Sequence, residues 1–299
     1  MALRPKAAGP VALAVVLVSL SIFAGTSVHA QLPPTIIPNC GFVIDTPGFY
    51  APTNSLSTTS QTQDCITVNA SGVIVDIAGV NLTGPGGGGS AAGIHVMPHA
   101  SAVVIAASSA TISGFGTGIL VAGNSTTLSG GTVQNNASAG VMFTSAQVGY
   151  LSGLSSLNNG GAGIELSQSN SITVLDCQVT GNGGHGLWLR GSRVSALYQI
   201  VATGNGASGI YLGCSPEGPI GSHCGQGIGP SSRNTIVASA AQGNKSAGIA
   251  IDFSDSRNLV TGSVAAQNGS RDAVDENAKC DNNSWTGNQF ATTSQSCIR

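Results

Sequence analysis

Five residues in the middle of the chain bring together side chains that do chemistry on sugars: Glu165, His185, Trp188, Arg190 and Tyr211. Glu165, Trp188 and Tyr211 follow one another at a spacing of 23 residues. Two aromatic rings flanked by a carboxylate and a guanidinium suit a sugar chain. Pyranose rings stack on aromatic faces, and Arg190 pairs with a uronate carboxylate through a two-pronged contact. Glu165, Trp188, Arg190 and Tyr211 are therefore the candidate binding set. A proton-transfer reaction on a uronate needs a carboxylate neutraliser, a base and an acid, and Arg190, His185 and Tyr211 are the candidates for these roles.

Two smaller groups point to metals. His95, Met97 and His99 stand at i, i+2 and i+4 in "HVMPH", on one face if a strand persists. Imidazole and thioether donors suit copper. Pro98 is expected to end the strand and splay His99. Asp252 and Asp255 are a calcium candidate, read otherwise as two solvated surface acids. Cys177, in step with Leu154 and Ile200, is expected to be a buried thiol rather than a nucleophile.

These residues need a scaffold that repeats. Tetrads of glycine, apolar, any residue, apolar recur as GIHV (93–96), GILV (118–121), GVMF (140–143), GIEL (163–166), GLWL (186–189), GIYL (209–212) and GIAI (248–251). A forerunner, GVIV, begins at Gly72, and a successor begins at Asp272. The longer last step carries an insertion, shorter than one coil, that contains Cys214 and Cys224. Four residues before successive tetrads lie Asn136, Asn159, Asn182, Asn205, Asn244 and Asn268. A fixed period with fixed asparagine and glycine is the mark of a solenoid. Val, Ile and Thr alternate between glycine-rich turns, which predicts strands and excludes helical repeats. About 23 residues suit three short strands per coil, each coil stacking on the next at roughly 4.8 Å. Gly186 is expected to set a bend and Asn182 to belong to a stacked amide ladder.

Charge and composition exclude other classes. Only 7% of the 299 residues are charged and the net charge is −2, so no nucleic-acid surface is expected. The hydrophobic fraction of 41% is enough for a core. Arg4 and Lys6, the apolar stretch 11–24 and Val28-His29-Ala30 predict a signal peptide over residues 1–30. The mature chain is then expected to be secreted or periplasmic, without a membrane span and monomeric. Seven cysteines fit an oxidising compartment. Local pairing joins Cys40 with Cys65, Cys214 with Cys224 and Cys280 with Cys297, leaving Cys177 free, although spacing alone does not prove the connectivity.

The N-x-x-x-G-I-x-L coils, the stretch GVIVDIAGVNLTG (72–84) and the ending DENAKCDNNSWTGNQF resemble right-handed parallel β-helix proteins of the pectin-lyase-like group. The resemblance covers roughly residues 40–299. It implies an N-terminal cap over 31–70, a parallel β-helix over 71–271 and a closing segment over 272–299. The group holds lyases, epimerases, hydrolases and members without activity, so fold does not decide function. Gly184-His185-Gly186 resembles the GHG motif of polygalacturonases, but their NTD and RIK elements are missing. Glu165 and Asp252 would also stand three coils apart, roughly 14 Å at strand spacing, beyond the ~5–9.5 Å of paired glycosidase carboxylates. Alginate epimerases carry a DPHD element, and Met97-Pro98-His99-Ala100 lacks both aspartates. A periplasmic copper-maturation protein also belongs to the group. The expected function is polysaccharide binding on an outer strand face. The alternatives are a lyase or C5-epimerase of uronic-acid polymers, and a periplasmic copper-handling protein.

Overall fold

Alternation at period two puts every second side chain of a tetrad inside, and stacking repeats the choice coil after coil. The computed structural model describes residues 33–214 and 227–299. Among these residues all regular structure is strand, save one short 3-10 turn at Ala278–Cys280. The strands form three parallel sheets of 11, 10 and 10 members, and successive coils supply neighbouring strands. Ile164 pairs with Leu187 and Leu187 with Ile210, and all three are fully buried in the lumen. The protein is a right-handed parallel β-helix, three strands to a coil. The tetrads occupy one sheet, which runs from Phe42–Ile44 to Ala273–Asp275.

The asparagine column is the ladder that its spacing predicts. Asn136 Nδ2 donates to Asn159 Oδ1 at 2.9 Å, and the pattern continues through Asn182, Asn205, Asn244 and Asn268. Each Oδ1 also accepts a backbone N–H of the neighbouring coil, as Asn182 Oδ1 does from Asn159. Asp272 ends the ladder by accepting from Asn268. A second amide ladder joins Asn234, Asn258 and Asn283. Buried polar groups at the corners are thereby satisfied within the stack.

The tetrad glycines play a different part from the one expected. Gly186 does not adopt a left-handed backbone. A Cβ there would lie 2.6 Å from the carbonyl oxygen of Gly209 and 2.7 Å from Asn205 Nδ2. Glycine is needed for the close approach of the next coil and its ladder amide, not for a bend.

The coil stack is longer than the resemblance implied. Gly48–Ala51, Leu56–Ser57 and Ile66–Val68 already belong to the three sheets, as do Ser284–Thr286 and Gln289–Phe290 at the other end. The stretch GVIV is not a forerunner of the tetrads, because Val73–Asp76 lies in the eleven-stranded sheet. The strand before GIHV is Ile66–Val68. The same alternation serves both sheets, so pattern alone assigns GVIV to the wrong one. Cys40–Cys65 and Cys280–Cys297 are disulfides, and Cys177 is a buried free thiol. The predicted pairing of Cys214 with Cys224 and the predicted signal peptide lie outside the described residues. No helix among the described residues is long and apolar enough to cross a membrane.

Candidate functional site

The outer face of the tetrad sheet carries a column that runs Thr67, His95, Leu120, Met142, Glu165, Trp188, Tyr211, Ala250 and Val274. The column points away from the lumen, as expected. Its second half is nevertheless covered: Glu165 is 8% exposed, Trp188 7% and Tyr211 1%. The expected open aromatic strip is therefore not accessible. The rings pack with Ala162, Ala247, Ala250 and Val274 into a second apolar cluster outside the sheet. The small neighbours leave room for the rings to lie down on the strands.

The polar atoms of this patch are engaged within it. Trp188 Nε1 donates to the carbonyl of Gly213 at 2.7 Å. The Tyr211 hydroxyl donates to Asp252 Oδ2 at 2.8 Å. The His185 ring stacks on Tyr211 with centroids 4.3 Å apart and lies 5.6 Å from Trp188. His185, the candidate base, is not at an open edge. It is 6% exposed, and its Nδ1 accepts the backbone N–H of Ser208 at 3.1 Å. An imidazole that accepts at Nδ1 holds its proton at Nε2. The candidate base and acid thus sit in a packed cluster, and only Arg190 of the candidate trio reaches the surface.

Arg190 is half-buried, with its guanidinium 5.6 Å over the Trp188 ring. Its Nε is buried and has no hydrogen-bond partner among the described residues. Glu165, one coil away, is pushed above the usual carboxylate range by burial, and the Arg190 charge partly opposes that. The two form no ion pair within 4 Å.

At the other end of the column, His95 Nδ1 lies 2.7 Å from Asp64 Oδ2, and Asp64 Oδ1 accepts the Ala92 N–H at 2.7 Å. Met97 continues the ladder by donating its N–H to Val68 O, so His95 and Met97 do share the outer face. Pro98 then opens a turn closed by Ala100 N–H on Met97 O, which takes exposed His99 out of the strand.

Asp252 and Asp255 are not solvated surface acids: each is 1% exposed. Asp255 Oδ1 accepts the Ser231 N–H at 2.5 Å, while its Oδ2 is buried without a partner among the described residues. Burial pushes its carboxyl up to about 8, with Asp252 and Asp275 adding repulsion. Among the described residues, no three His, Cys, Asp or Glu side chains are grouped to hold a metal ion.

A family model described as "Right handed beta helix region" matches residues 64–219, half of the chain. The chain belongs to that family. No curated protein sequence matches this β-helix. Among solved structures it is similar to pectate lyase Pel9A, with a TM-score of 0.54 and 13% identity over 90% of this chain and 67% of that one. The A-module of the Azotobacter vinelandii mannuronan C-5 epimerase AlgE6 gives a TM-score of 0.51 and 11% identity over 88% and 90%. A single-substitution mutant of the periplasmic alginate epimerase AlgG gives 0.52 and 17% identity over 73% and 51%. The present β-helix thus spans about half the length of AlgG. At these identities the likeness is one of fold.

Asp64 is the residue that sequence reasoning missed. It precedes His95 by 31 positions, one coil that carries no glycine tetrad, so the 23-residue period does not align the two. The signal available was the strand "CITV" (65–68), whose alternation matches GIHV.

Proposed function

We propose that this β-helix binds an acidic polysaccharide on the outer face of its tetrad sheet, with Arg190 as the anion contact. One observation carries the reading: the half-buried Arg190 guanidinium is held over Trp188 with no carboxylate of the described residues in ion-pair range. A guanidinium fixed by an aromatic face and lacking a partner is preorganised for a planar carboxylate such as that of a uronic acid. Trp188 acts as the support of that cation rather than as a stacking platform. Raised Glu165 beside it, when protonated, removes a repulsive charge. The polyuronate-acting proteins of similar fold, and two disulfides that fit an oxidising compartment, support the same direction.

Binding is favoured over elimination or epimerisation because Tyr211 and His185 have their hydroxyl and Nδ1 committed inside the packed cluster. The test is titration calorimetry with oligogalacturonate, oligoalginate and a neutral oligosaccharide. Binding of an acidic chain that weakens at least about tenfold in Arg190→Ala supports the reading, in the range of a lost charged hydrogen bond. Equal affinity in wild type and Arg190→Ala refutes it. Appearance of ultraviolet-absorbing unsaturated uronate would replace binding by a lyase.

A further inference from the structure

The Asp64–His95 pair stands on the same sheet face as Arg190 but four coils away, roughly 19 Å at strand spacing. The sugar-binding reading does not use it. Its geometry is specific. Both oxygens of Asp64 are occupied, one by the Ala92 N–H and one by His95 Nδ1. A carboxylate accepts, so the neutral imidazole donates from Nδ1 and carries its lone pair at Nε2. His95 is half-buried, and its Nε2 has no partner among the described residues. A carboxylate that fixes one imidazole nitrogen and leaves the other free is the arrangement that orients histidine metal ligands.

Met97 supplies the second donor. The strand ladder persists through it, which keeps its thioether on the His95 side of the pleat. It is half-buried and takes no part in the lumen core. The flanking outer positions are Thr67 and Asn69 on one side and Leu120 and Ala122 on the other, so no cation competes for the site. An imidazole and a thioether without a second carboxylate facing the ion disfavour calcium, magnesium and other hard ions. They suit a soft ion that accepts few ligands.

We propose that His95 Nε2 and Met97 Sδ bind Cu(I), with Asp64 as the residue that positions the imidazole. The donors are neutral and the binding is reversible, with no electron transferred to the protein.

The experiment is competition for Cu(I) between the intact, disulfide-bonded protein and a chromogenic Cu(I) chelator, without oxygen and with ascorbate rather than a thiol as reductant. A Cys177→Ser background removes the free thiol as an alternative ligand. The expected result is retention of Cu(I) that is lost in both His95→Ala and Met97→Leu, and weakened about tenfold in Asp64→Asn, the usual range for loss of an outer hydrogen bond. X-ray absorption at the copper edge should show nitrogen and sulfur neighbours. Far-ultraviolet circular dichroism of each variant verifies the fold, and His95→Gln is the second variant if His95→Ala unfolds. No retention by wild type, or retention unchanged in both donor variants, overturns the proposal. Loss in His95→Ala with no effect of Met97→Leu, and equal affinity for Zn(II), also overturns it, because that describes a lone imidazole.

Discussion

Tyr211 and Asp252 are joined across adjacent coils by a hydrogen bond of 2.8 Å, on a face that strand alternation alone would leave open. The donor is 1% exposed and the acceptor is equally covered. This is the inside of a second, small core. Tyr211→Phe keeps the ring stacked on His185 and removes one donor to the carboxylate. The expected cost is about 1–3 kcal/mol of stability, the range for leaving a buried hydrogen-bond partner unsatisfied. Affinity for an acidic oligosaccharide should be unchanged. Chemical denaturation and calorimetry measure the two separately. A variant of native stability with lost affinity would put Tyr211 in the binding surface instead.

Gly186 and the asparagine ladder are one device. Gly186→Ala forces a methyl against the Gly209 carbonyl and the Asn205 amide, neither of which can retreat without breaking its own bond. The expected loss is about 1–3 kcal/mol or more, as for other overpacked sites. Asn182→Ala should cost a similar amount for a different reason: it strands the donor of Asn159 and the amide N–H that Asn182 Oδ1 accepts. Urea denaturation of both variants checks this. Native stability of Gly186→Ala would mean that the coil spacing yields where the close contacts say it cannot.

Asp255 makes stability depend on pH. Its carboxyl is raised in the folded chain to about 8, above the ordinary aspartate value that it regains on unfolding. The folded state therefore holds the proton more tightly. The stabilisation is complete below about pH 4, where both states are protonated. It declines as pH rises and is lost once pH passes the folded value. Glu276 is also raised, by burial and by Asp252 and Asp275, so the useful quantity is the difference between wild type and Asp255→Asn. That difference should grow in favour of the variant between about pH 4 and pH 8. Parallel stability curves across this range would show that Asp255 ionises normally.

The repeat itself was legible because each element of the coil has one residue type that nothing else replaces. Asn182 has both amide ends used, and Gly186 has no room for a side chain. Cys40, Cys65, Cys280 and Cys297 pair as local spacing suggests. The candidate site was less legible. Alternation tells that Trp188 and Tyr211 point out of the sheet, but not that His185, Ala162 and Ala247 close over that side. Asp255 reads as a surface acid because its place in the serine column of Ser169, Ser192 and Ser231 appears only when the coils are stacked. Asp64 escaped because the coil from Ile66 to Ile94 takes 28 residues rather than 23 and its first strand carries no glycine tetrad.

Glu165 sets the pH response of the proposed sugar contact. Burial raises its carboxyl and Arg190 opposes that rise, so its proton leaves at a higher pH than from an ordinary glutamate. Ionised Glu165 repels a uronate approaching Arg190, whereas protonated Glu165 does not. Affinity for an acidic oligosaccharide should therefore increase as pH falls through the Glu165 transition, while the sugar carboxylate is still charged. Glu165→Gln holds the neutral state at every pH and keeps a donor of similar shape. It should bind at least as tightly as wild type near neutrality and lose the acid-side increase. The same variant tests linkage to folding: a raised carboxyl contributes stability at low pH that disappears as pH rises, so Glu165→Gln should narrow that decline. Calorimetric titrations at three or more pH values, with Arg190→Ala as the control for loss of the anion contact, decide the matter. If Glu165→Gln weakens binding at all of them, the carboxylate contacts the sugar as an acceptor and the repulsion argument fails.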